Sequence, residues 1–305
     1  MSRSKTVNNA IFAGRWYPEE EAALTSDLEG YLARAERRPG EVRGAVLPHA
    51  GLSYSGYGMA DAFASLRDAW ERGADTPPRR VLLLSPSHYH PLPADTLTVE
   101  SFASHQTPLG SIRGDPEFWG SGEGLRPGNR EVEEEHGTEL FFPFIRHILP
   151  EETTLSLGLV APLSSLETTE RLASLILERL ERRDELDSTL ILVSSDFTHY
   201  GTRFDYAPFG SAATEDDLPR LEAAVESEDR QVAQMAAASD SEALLRRYRS
   251  PITVCGRYPI LLGASLFRRL GATGELVRYY NSNSFGPRRG EFVCYCSIVF
   301  LKDSS

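Results

Sequence analysis

The sequence predicts an α/β fold in three layers, with a mostly parallel or mixed central sheet between two sets of helices. Two runs, Arg80-Val81-Leu82-Leu83-Leu84 and Leu190-Ile191-Leu192-Val193, are short, apolar and flanked by polar residues, as strands buried on both faces must be. Between such runs lie longer segments whose apolar residues recur at helical spacing, for instance Leu166 to Arg183. The two patterns alternate along the chain, which is the rhythm of a parallel sheet covered on both faces.

The elements follow in order. Pro18 with Glu19, Glu20 and Glu21 has the composition of a helix start, where acids complement the dipole, and Leu24, Leu28, Tyr31 and Leu32 continue at helical spacing. Gly44 to Leu47 reads as a strand stopped by Pro48, and Gly56 to Trp70 as a helix. Thr96 to Ile112 reads as short strands with turns, and Ser121 to Asn129, rich in Gly, Ser and Pro, as a loop. Glu139 to Leu149 is expected to be one helix despite Pro143, and Thr154 to Val160 a strand. Glu215 to Arg249 is expected to be helical with a break near Ser239, and Gly256 to Leu270 an apolar helix. Glu275 to Asn281 and Phe292 to Leu301 close the chain as strands. The rhythm continues across the Ser121 loop, so residues 1–305 are read as one domain.

Composition narrows the function classes. Apolar residues make up 41% and charged residues 25%, the balance of a globular chain. A net charge of −12 repels phosphate backbones and argues against nucleic acid as a partner. No apolar run reaches the ~18 residues of a membrane span. Met1 to Asn9 is polar and lacks the apolar segment of a signal peptide, and three cysteines are too few for a disulfide framework; both features predict a cytoplasmic protein.

In open α/β sheets, ligands bind beyond the carboxyl ends of the strands. His49, His88 and His199 each follow a predicted strand, so converging strands bring them to one crevice. Cys255 precedes the helix beginning at Gly256, where a helix N-terminus favours thiolate; taken alone it reads more simply as an inert buried thiol. His49, His88 and Cys255 together form a three-ligand metal set with one position open, the catalytic rather than the structural arrangement. Imidazole and thiolate suit iron(II), copper or zinc, and ligand type does not choose among them. Asp196 is placed to orient a ligand or His199, or to cap a turn, and His199 to act as general acid or base. His136 and Glu139, three apart, would form either a polar wall of the crevice or a helix cap, while Tyr54 and Ser55 would line the pocket beside His49. His90 is a reserve ligand, His105 and His147 lie off the site, and Cys294 and Cys296 share one strand face as core packing or, less simply, as metal ligands.

At these residues the chain resembles the Memo family, including the microbial proteins called AmmeMemoRadiSam system protein B. The resemblance runs through Ala13-Gly14-Arg15-Trp16-Tyr17-Pro18, Pro48-His49-Ala50-Gly51, Tyr54-Ser55-Gly56, Ser85-Pro86-Ser87-His88 and Thr107-Pro108-Leu109-Gly110. It continues through Glu135-His136 with Glu139, Pro143-Phe144, Ser194 to Gly201 and Cys255-Gly256-Arg257, which adds Arg257 to the pocket. The resemblance implies a fold similar to class III extradiol dioxygenases, which are non-haem iron enzymes. It also implies a metal site at His49, His88 and Cys255 with Asp196 and His199 nearby. Gly137 stands where the family usually has Ser, and Cys255 where the dioxygenases carry a carboxylate. The family's animal member is described as a copper- or iron-binding redox protein that also engages phosphotyrosine segments. Three functions therefore stay open: an oxygen-using redox enzyme acting on a small molecule, a binding module holding a peptide or protein in the same crevice, and a copper(I)-sequestering protein.

Overall fold

The computed structural model describes residues 6–303 apart from 74 and 213, and not the side chain of 215; Met1 to Lys5 of the polar N-terminal stretch lie outside the described residues. The first half runs β1 (Val7–Asn8), α1 (Glu21–Leu32), β2 (Val42–Leu47), α2 (Leu52–Glu71), β3 (Arg80–Ser85), β4 (Leu97–Val99), β5 (Ser104–Thr107), β6 (Gly110–Gly114) and β7 (Leu125–Pro127). Then come three short helices, α3 (Asn129–Glu133), α4 (His136–Glu139) and α5 (Phe142–Ile148), followed by β8 (Thr154–Val160), α6 (Leu166–Arg182), β9 (Thr189–Ser194) and β10 (His199–Tyr200). The chain closes with α7 (Leu218–Ala237), α8 (Ser241–Arg247), α9 (Arg257–Arg269), β11 (Ala272–Asn281) and β12 (Phe292–Lys302).

The sheet is mixed, in the order β1-β5-β6-β8-β3-β9-β2-β12-β10, with β11 on β12 and β4 on β8. Its centre, β8-β3-β9-β2, is parallel, while β12 runs antiparallel to β2 and β11 antiparallel to β12. Strand alternation sorts the core into two layers. Leu82, Leu84, Ile191 and Val193 face one side, against Leu172, Ile176, Leu262 and Leu266 of α6 and α9. Val81, Leu83, Leu190 and Leu192 face the other, against Leu28, Met59, Phe63 and Ile145 of α1, α2 and α5. The three-layer α/β/α expectation therefore holds, and Cys294 and Cys296 pack in the first of these cores. No helix among the described residues is long and apolar enough to cross a membrane.

Several boundaries differ from the sequence reading, each for a local reason. Helix α1 begins at Glu21 rather than at Pro18, because the Glu20 carboxylate caps it by accepting the N–H groups of Ala22 and Ala23. The expected helix from Glu139 to Leu149 is two helices: α4 ends at Glu139, and α5 restarts at Phe142 with Pro143 in its first turn, where a missing N–H costs nothing. The Ser121 loop contains a short strand, β7, pairing in parallel with β4. The break between α7 and α8 falls as expected, with Ser239 in the left-handed region at φ 54°.

One buried acid gives the fold an unusual pH dependence. Glu100 accepts the N–H groups of Phe102 and, at 3.3 Å, Leu157, and burial pushes its pKa from 4.5 up to about 8. A carboxyl whose pKa is higher in the folded chain binds more protons there, so its contribution to stability declines as pH rises from 4.5 through about 8. Urea unfolding at pH values across that window should show Glu100→Gln losing less stability with rising pH than the wild type, by on the order of 1–3 kcal/mol. Parallel pH profiles for the two proteins would contradict the assignment.

Candidate metal centre

The site forms where β2, β3 and β9 end. His49 lies two residues past β2 and His88 three past β3, while Asp196 and His199 follow β9. Cys255 enters from the loop before α9. Its sulfur lies 3.1 Å from His49 Nε2, and the ligand atoms of His49, His88 and Cys255 all lie within 4.8 Å of one another.

The hydrogen bonds around the two imidazoles define their tautomers. Ser194 Oγ donates to the Gly137 carbonyl at 2.6 Å, so at 2.5 Å from His49 Nδ1 it must accept, which places the proton on Nδ1 and the lone pair on Nε2. His88 Nδ1 meets Glu135 Oε1 at 2.7 Å, and a carboxylate only accepts, so His88 likewise offers Nε2. Imidazoles oriented by a second acceptor are the usual support of metal-binding histidines. Two Nε2 lone pairs and a thiol sulfur thus converge, and the donor set fits an ion.

Electrostatics agree with a place for positive charge. Burial works against protonation of His88, but the Cys255 sulfur and the Glu135 carboxylate outweigh it and push its pKa up to about 10. His49 is fully enclosed; burial, with His88 and His136 beside it, holds its pKa well below the ordinary value. The expectation that a helix N-terminus favours the Cys255 thiolate is corrected. Residue Cys255 precedes the N-cap Gly256, and burial pushes its thiol pKa up against the pull of His88. A cation is what would hold this sulfur as thiolate, aided by the Asp196 N–H, which donates to it at 3.2 Å.

Asp196 braces the site. Its carboxylate accepts the His49 N–H at 2.8 Å, and burial pushes its pKa up. Thr253 fixes His199 twice: Oγ1 accepts the His199 N–H and donates to the His199 carbonyl, each at 3.0 Å. The His199 Nδ1 lies 3.0 Å from the Phe197 carbonyl and 3.1 Å from that of Thr253, so Nδ1 carries the proton and Nε2 is the basic nitrogen.

His136 enters the cluster more deeply than the expected wall. Its ring lies 4.4 Å from that of His88 and 5.2 Å from that of His49, and Trp16 covers it at 4.4 Å. Burial, then the neighbouring His88, lowers its pKa to about 4. His88, Glu135 and His136 form a second group of donors within 4.8 Å. Glu135 is already committed, however: Oε2 accepts the His88 N–H, and Oε1 accepts from His88 Nδ1 and the Gly137 N–H, so this group acts as a brace.

The remaining expected residues scatter. Glu139 turns to the N-terminal segment, where its carboxylate accepts the N–H groups of Ile11 and Phe12 and the Tyr17 hydroxyl. Ser55 closes its own turn by donating to the Ala50 carbonyl. Tyr54, 40% exposed, lies among Phe285 and Tyr295 and lines a second hollow with Arg203 and Arg289. Arg257 lines a cavity of about 580 Å³, which also includes Cys255, His199, His90, Ser87, Phe204 and Tyr258 in its wall. His90 pairs with Glu134 at 2.7 Å, His105 is buried against Asn8, and His147 pairs with Glu29. Sequence reasoning misses Ser194 and Trp16 as neighbours of the imidazoles. The only local signal for Ser194 is a hydroxyl at the end of an apolar strand.

A mixed α/β sheet whose parallel strands deliver two imidazoles to a half-buried thiol defines an α/β protein with a candidate mononuclear metal centre. The chain belongs to the Memo family, whose model, described as Memo-like protein, matches residues 8–299. Protein MEMO1 of Homo sapiens is 30% identical over 272 residues, covering 85% of this chain and 84% of that protein. A MEMO1 family protein of Thermococcus onnurineus (strain NA1) is 29% identical over 306 residues, covering 97% of this chain and all of that protein. The crystal structure of the uncharacterized Escherichia coli K12 protein JW3007 superposes with a TM-score of 0.49 at 10% identity, covering 86% of this chain and 100% of that one.

Proposed function

We propose that this chain is a metal-dependent redox protein, an oxidase or dioxygenase-like enzyme that uses iron or copper. His49, His88 and Cys255 would hold the ion, and His199 would act as general acid or base toward a small-molecule substrate. One observation carries the reading: three donor atoms converge within 4.8 Å, with both imidazoles turned by Ser194 and Glu135 to offer Nε2. When bound, the ion would supply a Lewis-acidic, redox-active centre with a position open to oxygen or substrate.

The chain's own residues do the rest. Asp196 anchors the His49 backbone, so that a ligand on a loop keeps the precision of the strand end. His199 presents Nε2 with its ring fixed by two carbonyls, and both His199 and Cys255 form part of the same cavity wall, so a molecule in the cavity meets the base and the metal ligand together. The test is oxygen uptake with catechol and with ascorbate after anaerobic reconstitution with iron(II) or copper(I). Uptake should require the metal and fall by about 100-fold or more in His199→Ala. Uptake that needs no metal, or that survives the substitution, would remove the reading.

A further inference from the structure

The cavity beside Cys255 and His199 carries more information than its place next to the cluster. Its volume, about 580 Å³, is that of a site for a small organic ligand. Much of its wall is apolar, including Leu92, Val160, Phe204, Ile252 and Tyr258. Among the described residues, its one guanidinium is Arg257, and no Asp or Glu contributes to the wall. In a chain with 44 acidic and 32 basic residues, a cavity with a cation and no acid is a local reversal of charge.

Several arginines inside the fold are ion-paired, and Arg257 is not among them. Arg80 pairs with Asp115 and Glu185, Arg43 with Glu41 and Asp187, and Arg278 with Asp61. Among the described residues, Arg257 instead donates through Nη1 to the Ile252 carbonyl at 3.2 Å and lies over the Tyr258 ring at 5.1 Å, with no carboxylate in ion-pair distance. A carbonyl and a ring hold the guanidinium in place without neutralising it. The rest of its fork keeps the geometry that suits a carboxylate.

We infer that this cavity takes a small apolar monocarboxylate, an aryl or branched-alkyl carboxylate whose anionic end pairs with Arg257. The inference deepens the functional reading above and rests on the cavity at Cys255 being the substrate site. One guanidinium in a largely apolar wall suits one negative charge on an apolar body. A dianion such as phosphate would leave charge uncompensated against Phe204 and Ile252.

A carboxylate can also bind a metal directly, so the test uses the full chain stripped with a chelator, and its outcome does not depend on oxygen chemistry. Binding of 2-naphthoate, its neutral amide and inorganic phosphate is measured by calorimetry. Naphthoate should bind with a Kd below about 1 mM and about tenfold or more tighter than the amide. Arg257→Gln should abolish that preference, and Arg257→Lys, which keeps the charge but not the fork, should restore part of it. Equal binding of naphthoate and amide, tighter binding of phosphate, binding of none of the three, or a preference untouched by Arg257→Gln would overturn the assignment. Since the acid–amide comparison is made on the wild-type protein, poor folding of either variant leaves the proposal open to refutation.

Discussion

Cys255→Ala should lose its metal while keeping its fold. Wild-type protein purified anaerobically, untagged and without chelators, should contain about one iron or copper per chain by elemental mass spectrometry, as a three-ligand site implies. Thiolate is the only anionic member of the set, and without it two neutral imidazoles on separate loops must hold a cation beside the buried Asp196 backbone. Loss of a supporting partner typically costs 10–100-fold in metal affinity, and loss of a ligand should cost about 100-fold or more. Folding should barely respond. Cys255 is half-buried at the crevice wall, outside both hydrophobic cores, so the metal-free variant should unfold within about 1 kcal/mol of the metal-free wild type. Glu135→Gln serves as the graded companion: it keeps a hydrogen-bond acceptor for His88 Nδ1 but removes the charge, and should lose about 10–100-fold in affinity. Equal metal in wild type and Cys255→Ala would place any ion elsewhere. Absence of metal from both, even after reconstitution, would turn the histidines into walls of a binding pocket.

The parts of this centre that sequence reasoning reaches are those governed by local pattern. Apolar runs specify the strands, strand ends specify where His49, His88 and His199 emerge, and the convergence of parallel strands implies that they meet. What it does not reach depends on contacts between distant segments. Ser194 orients His49 across 145 residues, and Glu135 orients His88 across 47. Neither contact leaves a periodic trace, because a hydroxyl or carboxylate at an element's end serves as readily for capping. The same ambiguity divides His136 from Glu139. Their spacing puts them near one another on a helix, yet α4 is one turn long, so His136 stacks on the cluster while Glu139 holds the N-terminal segment. For Cys255 a correct position carried a wrong electrostatic expectation: the helix end would favour thiolate, but burial of the sulfur has the larger effect.

Gly256→Ala should damage fold and site together, because the centre depends on how closely α9 approaches the end of β9. A Cβ at Gly256 would lie 2.4 Å from the Ser194 carbonyl oxygen, 2.4 Å from Ser195 Cβ and 2.6 Å from Ser195 Oγ. The backbone there has φ −88°, which any residue adopts, so the obstacle is contact and not conformation. Neither partner can yield cheaply. The Ser194 carbonyl belongs to a strand paired in parallel with β2 at Leu47, and Ser195 Oγ accepts the Gly256 N–H at 3.0 Å. The helix must therefore move outward, and Cys255, the residue before it, must move as well. An overpacked contact of this kind costs about 1–3 kcal/mol, and a backbone oxygen as the obstacle puts the expected loss toward about 3 kcal/mol by urea unfolding. The 3.1 Å approach of Sγ to His49 would open, so metal affinity should fall by about tenfold or more and Cys255 should react faster with a thiol reagent in the chelator-treated protein. Adding Ser195→Gly removes the Cβ and Oγ contacts but not the carbonyl, so the double variant should recover only part of the lost stability. Wild-type stability with full metal content in Gly256→Ala would show that α9 has room to spare, and that the close seam between β9 and α9 does not set the position of the sulfur.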